Sequence, residues 1–201
     1  SSCIYPKETS QPISEKELLR GPLEKTNEGY ALAKIAGVKL CSYFYNEYNK
    51  DFISVMPTNL YGPNDNYDLE TSHVLAALIK KIATAKLKEI KNVEIWGTGK
   101  PRREFLHVND LADALIFLSK NFSDHEHINI GTSKDISIKE LAQTISDIIG
   151  WKGKFIFNNS MPDGTMLKRL DTTKLQNLGW SPKIDIKTGI KKTIKEFFGV
   201  P

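Results

Sequence analysis

The sequence predicts an α/β fold in which the strands pair in parallel. Segments with strand character alternate along the chain with segments whose apolar residues recur at helical spacing, and that alternation is typical of strands joined by crossover helices. The chain has 201 residues, of which 40% are hydrophobic and 26% are charged. This length and composition suffice for a buried core and argue against a disordered, collagen-like or coiled-coil protein.

The first part of the chain is expected to form a long loop and a long helix between two strands. We predict the end of a strand in residues 1–5 and a loop in residues 6–29, which contain three prolines and two glycines. Apolar side chains recur every three or four residues from Tyr30 to Tyr48, which predicts a helix with one face in the core. A short buried strand is expected from Phe52 to Met56.

The rest of the chain is expected to alternate helices and strands. The predicted helices are His73–Leu87, one capped by Asn109 or Asp110 that ends at Leu118, Ser137–Ile149, Thr172–Leu178 and a last helix with the apolar stripe Ile186, Ile190, Ile194, Phe197 and Phe198. The predicted strands are Val93–Trp96, His127–Ile130 and Lys154–Phe157. Ser137 and Glu140 have the spacing of a capping box, and Gly150 is suited to the end of that helix.

Charge and hydropathy exclude nucleic acid and a membrane as expected partners. The net charge is +4, too small for the dense cationic surface that binds a duplex. The longest nearly apolar run, Leu111–Leu118, is shorter than the roughly 20 residues that span a bilayer. Cys3 and Cys41 could form at most one disulfide, so we expect a cytoplasmic protein. We expect Cys41 to belong to the core, and we expect no metal site.

Tyr30 and Lys34 are the first candidate catalytic pair. Four residues apart in a helix, they share one face. A phenol, whose ordinary pKa is about 10, is a poor acid or base at neutral pH, but a neighbouring ammonium favours the phenolate. The spacing alone is a weak signal, because a packed tyrosine beside a solvated lysine has it too. Ser1 adds a hydroxyl that could share a carbonyl oxygen with the phenol.

Several short motifs occur in order along nearly the whole chain. They are Ser1–Pro6, Asn27–Lys34, Met56–Pro63, Ser72–Val74, Trp96–Gly99, Arg103–Val108, Asn129–Thr132 and Pro162–Thr165. In these motifs the chain resembles the extended short-chain dehydrogenase/reductase family that acts on nucleotide sugars. The resemblance implies the C-terminal part of a Rossmann-type doubly wound parallel sheet, together with a smaller α/β substrate-binding domain.

The resemblance also implies how the chain is divided. Residues 1–70 would belong to the NADP-binding Rossmann domain and carry the catalytic residues. Residues 71–201 would form mainly the domain that binds the GDP-sugar, with residues 105–131 returning to the Rossmann part. The chain contains no G-x-G-x-x-G sequence, the turn that seats a dinucleotide. We therefore expect it to be part of a longer enzyme and to turn over little by itself.

The activity implied by the resemblance is 3,5-epimerisation of GDP-4-keto-6-deoxy-D-mannose and reduction of its C4 ketone with NADPH, which gives GDP-L-fucose. Ser1, Tyr30 and Lys34 match the family's reductive triad, and Cys3 and His73 match its epimerisation acid/base pair. Inverting a carbon next to a ketone requires a proton to leave one face and return to the other. Thiols and imidazoles change protonation near neutral pH. The structural alternatives are a buried Cys3 and a His73 that caps a helix.

The resemblance further implies sets of residues that contact ligands. Cofactor contacts would come from Ser1, Ser2, Lys34, Pro57, Thr58, Asn59, Leu60 and His73. Substrate contacts would come from Lys81, Trp96, Arg103 and Asp163. From Lys80 to Arg103 there are eight basic and two acidic residues, which suits a diphosphate, although a solvated basic face has the same composition. A homodimer is also implied, and Ala36, Leu40 and Phe44 could lie in its interface.

Two other functions remain open. Another nucleotide-sugar epimerase or dehydratase of the same family is one alternative. Family dehydratases place carboxylates after the active-site Ser or Thr, where this chain has Cys3 and Ile4, and simple epimerases need no partner like His73. The other alternative is a non-catalytic module that binds a nucleotide sugar or assembles with other subunits. Such a module would hold a GDP-sugar without consuming NADPH.

Overall fold

The computed structural model describes residues 1–199, within which eight strands and six α-helices alternate after three short 3₁₀ helices. The strands are β1 (Val55–Pro57), β2 (Asn59–Tyr61), β3 (Asn92–Trp96), β4 (Arg102–His107), β5 (Ile128–Ile130), β6 (Asp135–Ser137), β7 (Lys154–Asn158) and β8 (Leu167–Lys168). The α-helices are α1 (Glu28–Tyr48), α2 (Val74–Leu87), α3 (Val108–Asn121), α4 (Ile138–Ile149), α5 (Thr173–Asn177) and α6 (Ile186–Phe197).

Two of the strand pairings are parallel. β1 pairs with β5, with Val55 opposite Ile128, and β3 pairs with β7, with Asn92 opposite Lys154. In a third sheet β4 lies between β2 and β6 and also pairs with β8. The parallel pairs, each separated along the chain by at least one helix, confirm the α/β prediction.

The chain divides into two compact units. The first unit contains residues 1–60, 104–135 and 168–183, and the second contains residues 61–103, 136–167 and the segment that begins at Ile184. In the first unit, buried side chains form two apolar clusters, which include Ile4, Ile13, Ile35 and Met56 in one and Leu106, Leu118, Ile128 and Ile130 in the other. In the second unit α4 packs against both α2 and α6, and its core includes Leu75, Ile79, Ile82, Leu141, Ile145 and Ile190.

The start of the chain differs from the predicted strand. Residues Ser2–Ile4 form a 3₁₀ helix, in which the Ile4 N–H donates to the Ser1 carbonyl at 3.3 Å and the Tyr5 N–H donates to the Ser2 carbonyl at 3.4 Å. These local bonds satisfy backbone groups that a strand would pair with a neighbour. The prediction of a strand in residues 1–5 was therefore wrong.

Three further predictions were wrong in detail. Helix α3 begins two or three residues earlier than expected, with His107 rather than Asn109 or Asp110 at its N-cap, where the His107 side chain accepts the Asn109 N–H. Phe198 lies beyond the end of α6 and is 38% exposed. Cys41 is half-buried rather than part of the core.

The predicted termini of α4 are confirmed. Ser137 and Glu140 form a reciprocal capping box, and Gly150 ends the helix in the left-handed conformation. Within residues 1–199 no helix combines the length and the apolar character that are needed to cross a bilayer.

Candidate functional site

Tyr30 and Lys34 lie side by side in the first two turns of α1. The Lys34 Nζ is 5.4 Å from the centre of the Tyr30 ring, and Tyr30 is 52% exposed. The adjacent face of the helix is anchored in the core by the buried side chains Ala31, Ile35 and Val38. The phenol and the ammonium are therefore fixed relative to each other by the helix and are both accessible to a ligand.

The turn that contains Ser1 and Cys3 packs against the same helix. The Ser1 Oγ accepts the Cys3 N–H at 3.4 Å. Two nitrogen donors approach the Cys3 sulfur, Asn27 Nδ2 and Lys168 Nζ, each at 4.0 Å. Cys3 is half-buried, so it is not the fully buried hydrophobe of the structural alternative.

The segment from Pro57 to Leu60, which was predicted as a loop, lies in β1 and β2 except for Thr58 and is held by backbone and side-chain hydrogen bonds. The Thr58 N–H donates to the Ile130 carbonyl at 2.9 Å. The Thr58 hydroxyl and the Asn59 amide both donate to the Glu104 carbonyl oxygen, at 3.3 Å and 2.8 Å. These hydrogen bonds fix the conformation of the segment, which the resemblance assigns to the cofactor.

Glu104 is a buried residue that the sequence analysis did not single out. Its carboxylate is fully buried and accepts the backbone N–H groups of Leu170 at 2.8 Å, Ser133 at 2.7 Å and Thr132. Burial raises the pKa of Glu104, and these hydrogen bonds oppose that rise. A Cβ at Gly131 would lie 2.3 Å from the carboxylate, so only glycine lets the turn approach it. In the sequence, the only indication of this role is that Glu104 is a charged residue inside the motif Arg103–Val108.

The second unit contains a cavity of about 310 Å³. All four residues that the resemblance assigns to the substrate line it, namely Lys81, Trp96, Arg103 and Asp163. The rest of the lining is mostly apolar, including Leu69, Val74, Leu78 and Ile95, with Glu70 and Ser72 as further polar residues. A cavity with apolar walls and a few charged groups is typical of a site for a small organic ligand.

The polar groups of this cavity are held in place. The Asp163 carboxylate accepts the Thr98 N–H at 2.6 Å and the Thr98 hydroxyl at 2.8 Å. A Cβ at Gly97, whose φ is +73°, would lie 2.2 Å from the Asp163 carboxylate, so the turn requires glycine. Arg103 donates to the Thr165 carbonyl. Burial lowers the pKa of Arg103, whereas Asp163 raises it, and a guanidinium remains charged in proteins.

Trp96 is the most exposed of the large apolar side chains that line the cavity. It is 58% exposed, and the Lys81 Nζ lies 5.5 Å from the centre of its ring. Lys81 also donates to the Glu94 carbonyl at 3.3 Å. The indole therefore offers a flat apolar surface beside a cation.

His73 lies in the second unit, at the N-cap of α2. It is exposed, and its side chain makes no capping hydrogen bond, so the alternative role of a helix cap is not realised. Its neighbour Ser72 lines the cavity. Ser1, Cys3, Tyr30 and Lys34 all lie in the first unit.

Most of the basic side chains between Lys80 and Arg103 do not line the cavity. Of its eight basic residues, only Lys81 and Arg103 line that cavity. Lys86 donates to the Ile149 carbonyl, and Arg102 pairs with Glu140 at 3.2 Å. The local excess of positive charge in the sequence is therefore dispersed.

In the part of the chain that the structure describes, no group of three or more His, Cys, Asp or Glu residues is arranged to hold a metal ion.

Comparison with known proteins agrees with this fold. Residues 1–131 match the family described as the NAD dependent epimerase/dehydratase family. The chain belongs to this family, and its α/β fold is Rossmann-like, as the resemblance implied.

Individual proteins in the family are similar to nearly the whole chain. A probable GDP-L-fucose synthase 1 of Oryza sativa subsp. japonica is 52% identical over 195 residues, which are 97% of this chain and 60% of that protein. The GDP-L-fucose synthase of Escherichia coli K12 is 48% identical over 98% of this chain and 64% of its own length. A crystal structure of a GDP-L-fucose synthetase from Naegleria fowleri bound to NADP has a TM-score of 0.90 and 32% identity, covering 98% of this chain and 64% of that one. The chain therefore spans about 60% of the length of these relatives.

Proposed function

We propose that the protein converts GDP-4-keto-6-deoxy-D-mannose to GDP-L-fucose, by 3,5-epimerisation followed by NADPH-dependent reduction at C4. The observation that carries the proposal is the set Ser1, Cys3, Tyr30 and Lys34, which one helix and one adjoining turn hold together in the first unit. A hydroxyl, a thiol, a phenol and an ammonium are the groups that this pair of reactions needs.

The reduction would depend on Tyr30 and Lys34. NADPH, when bound, supplies the hydride for C4. The Tyr30 phenol donates a proton to the C4 oxygen as the hydride arrives, and the Lys34 ammonium, on the same helix face, stabilises the phenolate that remains. The Ser1 hydroxyl donates a hydrogen bond to the same oxygen and orients the ketone.

The epimerisation would depend on Cys3 and His73. One group removes the proton from a carbon next to the ketone and the other returns a proton to the opposite face. The half-buried sulfur and the exposed, uncapped imidazole are both available for this exchange. The same pair would act at C3 and at C5.

The residues of the first unit fit a nicotinamide cofactor. Tyr30 and Lys34 are exposed beside each other. The segment Pro57–Leu60 is held in place by hydrogen bonds. We assign the cofactor to these residues and to Ser1, Ser2 and His73. On this proposal the first unit holds the cofactor and most of the catalytic groups, and the second unit holds the GDP-sugar.

The GDP part of the substrate would occupy the cavity of about 310 Å³. Arg103 presents a fork of N–H donors that suits diphosphate oxygens, and Lys81 adds a second positive charge. Trp96, largely exposed, would pack against the ligand through its flat face.

Two further properties belong to the proposal. A homodimer is supported by the apolar side chains that α1 leaves exposed, among them Leu40 at 56% and Phe44 at 37%. A cytoplasmic location is supported by the free state of Cys3 and Cys41, since oxidising compartments favour disulfides.

The test is an assay of NADPH oxidation with GDP-4-keto-6-deoxy-D-mannose. Because the relatives are longer than this chain, the assay uses a chimera in which the E. coli relative supplies the length that the match does not cover. The chimera is expected to oxidise NADPH and to form GDP-L-fucose. Replacing the general acid, Tyr30→Phe, should lower the rate by about 100-fold or more, whereas Tyr48→Phe, an exposed tyrosine of the same helix, should leave it unchanged.

Each alternative function predicts a different result in this assay. Exchange of substrate hydrogens for deuterium without NADPH oxidation would indicate an epimerase of the family that does not reduce C4. Binding of the GDP-sugar with neither exchange nor oxidation would indicate a non-catalytic module. Equal rates for the chimera and its Tyr30→Phe variant would remove Tyr30 from the mechanism.

A further inference from the structure

Lys168 approaches the Cys3 sulfur from a rigid part of the first unit. It is half-buried at the end of β8, and its Nζ is 4.0 Å from the Cys3 Sγ. The backbone that follows it is fixed on both sides. The Arg169 N–H donates to the Gln11 side chain at 3.0 Å, and the Arg169 carbonyl accepts the Ile13 N–H at 2.8 Å. Lys168 is therefore not a freely moving surface lysine.

Glu104 fixes the same segment from a third direction. Its carboxylate accepts the Leu170 N–H at 2.8 Å, two residues beyond Lys168. A buried carboxylate that accepts several backbone N–H groups orders the segments that donate to it. The position of the Lys168 main chain is thus set by contacts that do not involve Cys3.

Two donors converge on one sulfur atom. The second is the Asn27 amide, also 4.0 Å from the Cys3 Sγ, and Asn27 directly precedes α1 with its Tyr30. A cation and a polar N–H beside a sulfur stabilise negative charge on it. The thiolate is the form that accepts a proton from carbon.

We propose that Lys168 is a positioning residue for Cys3, whose ammonium stabilises negative charge on the sulfur when it acts as a thiolate, with Asn27 as a weaker second donor. In the epimerisation this thiolate takes the proton from the carbon next to the ketone. The electron pair of the broken C–H bond stays on the substrate as an enolate, the sulfur keeps that proton, and His73 supplies the proton that adds to the opposite face. This role rests on the function proposed above.

The first experiment measures the chemistry of the sulfur without turnover. Iodoacetamide reacts with a thiolate, which forms a C–S bond and releases iodide, and mass spectrometry follows the reaction in a Cys41→Ser background at pH 7. Lys168→Met should slow the alkylation of Cys3 about fivefold, the factor that one charge at about 4 Å gives in water. Lys168→Arg should restore most of the rate.

Two further variants separate this effect from a general loss of structure. Lys174→Met removes a lysine of the same unit whose partners are Asp124 and Glu126, and it should leave the rate unchanged. Asn27→Ala, at an exposed position, should slow alkylation about twofold and decides the question if Lys168→Met does not fold. Wild-type rates in Lys168→Met, or an equally slow Lys168→Arg, would overturn the proposal, as would an unchanged rate in Asn27→Ala when Lys168→Met does not fold.

A second experiment links the pair to the reaction. In the chimera, Lys168→Met should slow deuterium exchange at C3 and C5 in D₂O, while an already epimerised keto sugar is still reduced. If the unaltered chimera exchanges no deuterium, the proposed function fails and the alkylation rates alone decide the role of Lys168. If the chimera exchanges deuterium but Lys168→Met exchanges equally fast, the function stands and the role of Lys168 is rejected.

Discussion

His127 belongs to a buried polar chain next to the turn that holds Ser1 and Cys3. The Tyr5 hydroxyl donates to the Asn129 Oδ1, and the His127 Nε2 lies 2.9 Å from the same hydroxyl. Because the hydroxyl proton is used, Nε2 must carry a proton and donate to the Tyr5 oxygen. Asn129 in turn donates to the Ile13 carbonyl at 3.0 Å. The chain of bonds thus fixes the residue that directly follows the Ser2–Ile4 turn.

Burial makes this chain sensitive to acid. Burial lowers the pKa of His127 from 6.5 to about 4, so the unfolded protein binds the proton first as the pH falls. The contribution of the neutral imidazole is fully present above pH 6.5 and is lost between about pH 6.5 and pH 4, by up to about 3 kcal/mol.

Urea unfolding at pH 7 and at pH 4.5 measures this loss. The wild type should lose more stability over this interval than His127→Gln, which has no proton to bind. Parallel losses in the two proteins would show that His127 does not contribute to the acid sensitivity.

Among the elements, α4 shows how a local signal fixes both ends of a helix. The Ser137 hydroxyl accepts the Glu140 N–H at 3.1 Å, and the Glu140 carboxylate accepts the Ser137 N–H at 2.9 Å. Ser137→Ala should therefore lower the free energy of unfolding by about 1 kcal/mol. Ser119→Ala, whose exposed hydroxyl bonds only within α3, should change it by less than about 0.5 kcal/mol. Chemical denaturation of both variants makes the comparison, and equal effects would contradict a specific capping role.

The sequence did not predict strand β4, because distant partners define it. Strand β4 begins with Arg102, Arg103 and Glu104, a run that does not alternate in polarity, so the pattern gave no strand there. Glu104 is nevertheless buried, because N–H groups from residues 132, 133 and 170 meet its carboxylate. The turn Ser2–Ile4 was wrongly predicted as a strand, because so short a run has no pattern of apolar residues that distinguishes a strand from a 3₁₀ helix. Its short-range backbone hydrogen bonds make the distinction.

At the scale of the whole molecule, motif order was more informative than local charge. Trp96, Arg103 and Asp163 come from three separate motifs and Lys81 lies outside them, yet the structure brings all four to one cavity. The basic excess from Lys80 to Arg103 suited a diphosphate, but only Lys81 and Arg103 of its eight basic residues line the cavity. Lys168 lies outside every motif, and only the tertiary structure shows that it meets Cys3.

The central claim is that this cavity recognises a guanine nucleotide sugar, and a fluorescence titration tests it most directly. Trp96 lies in the cavity wall and is 58% exposed, whereas Trp151 and Trp180 are only 6% and 5% exposed. A bound ligand should therefore change mainly the Trp96 emission. GDP and GDP-sugars are expected to change the emission and to bind at least about tenfold more tightly than UDP, a difference of about 1.4 kcal/mol. NADPH should leave Trp96 unaffected, and Trp96→Phe should abolish the signal. Equal affinities for GDP and UDP, or no response to either nucleotide, would contradict the account.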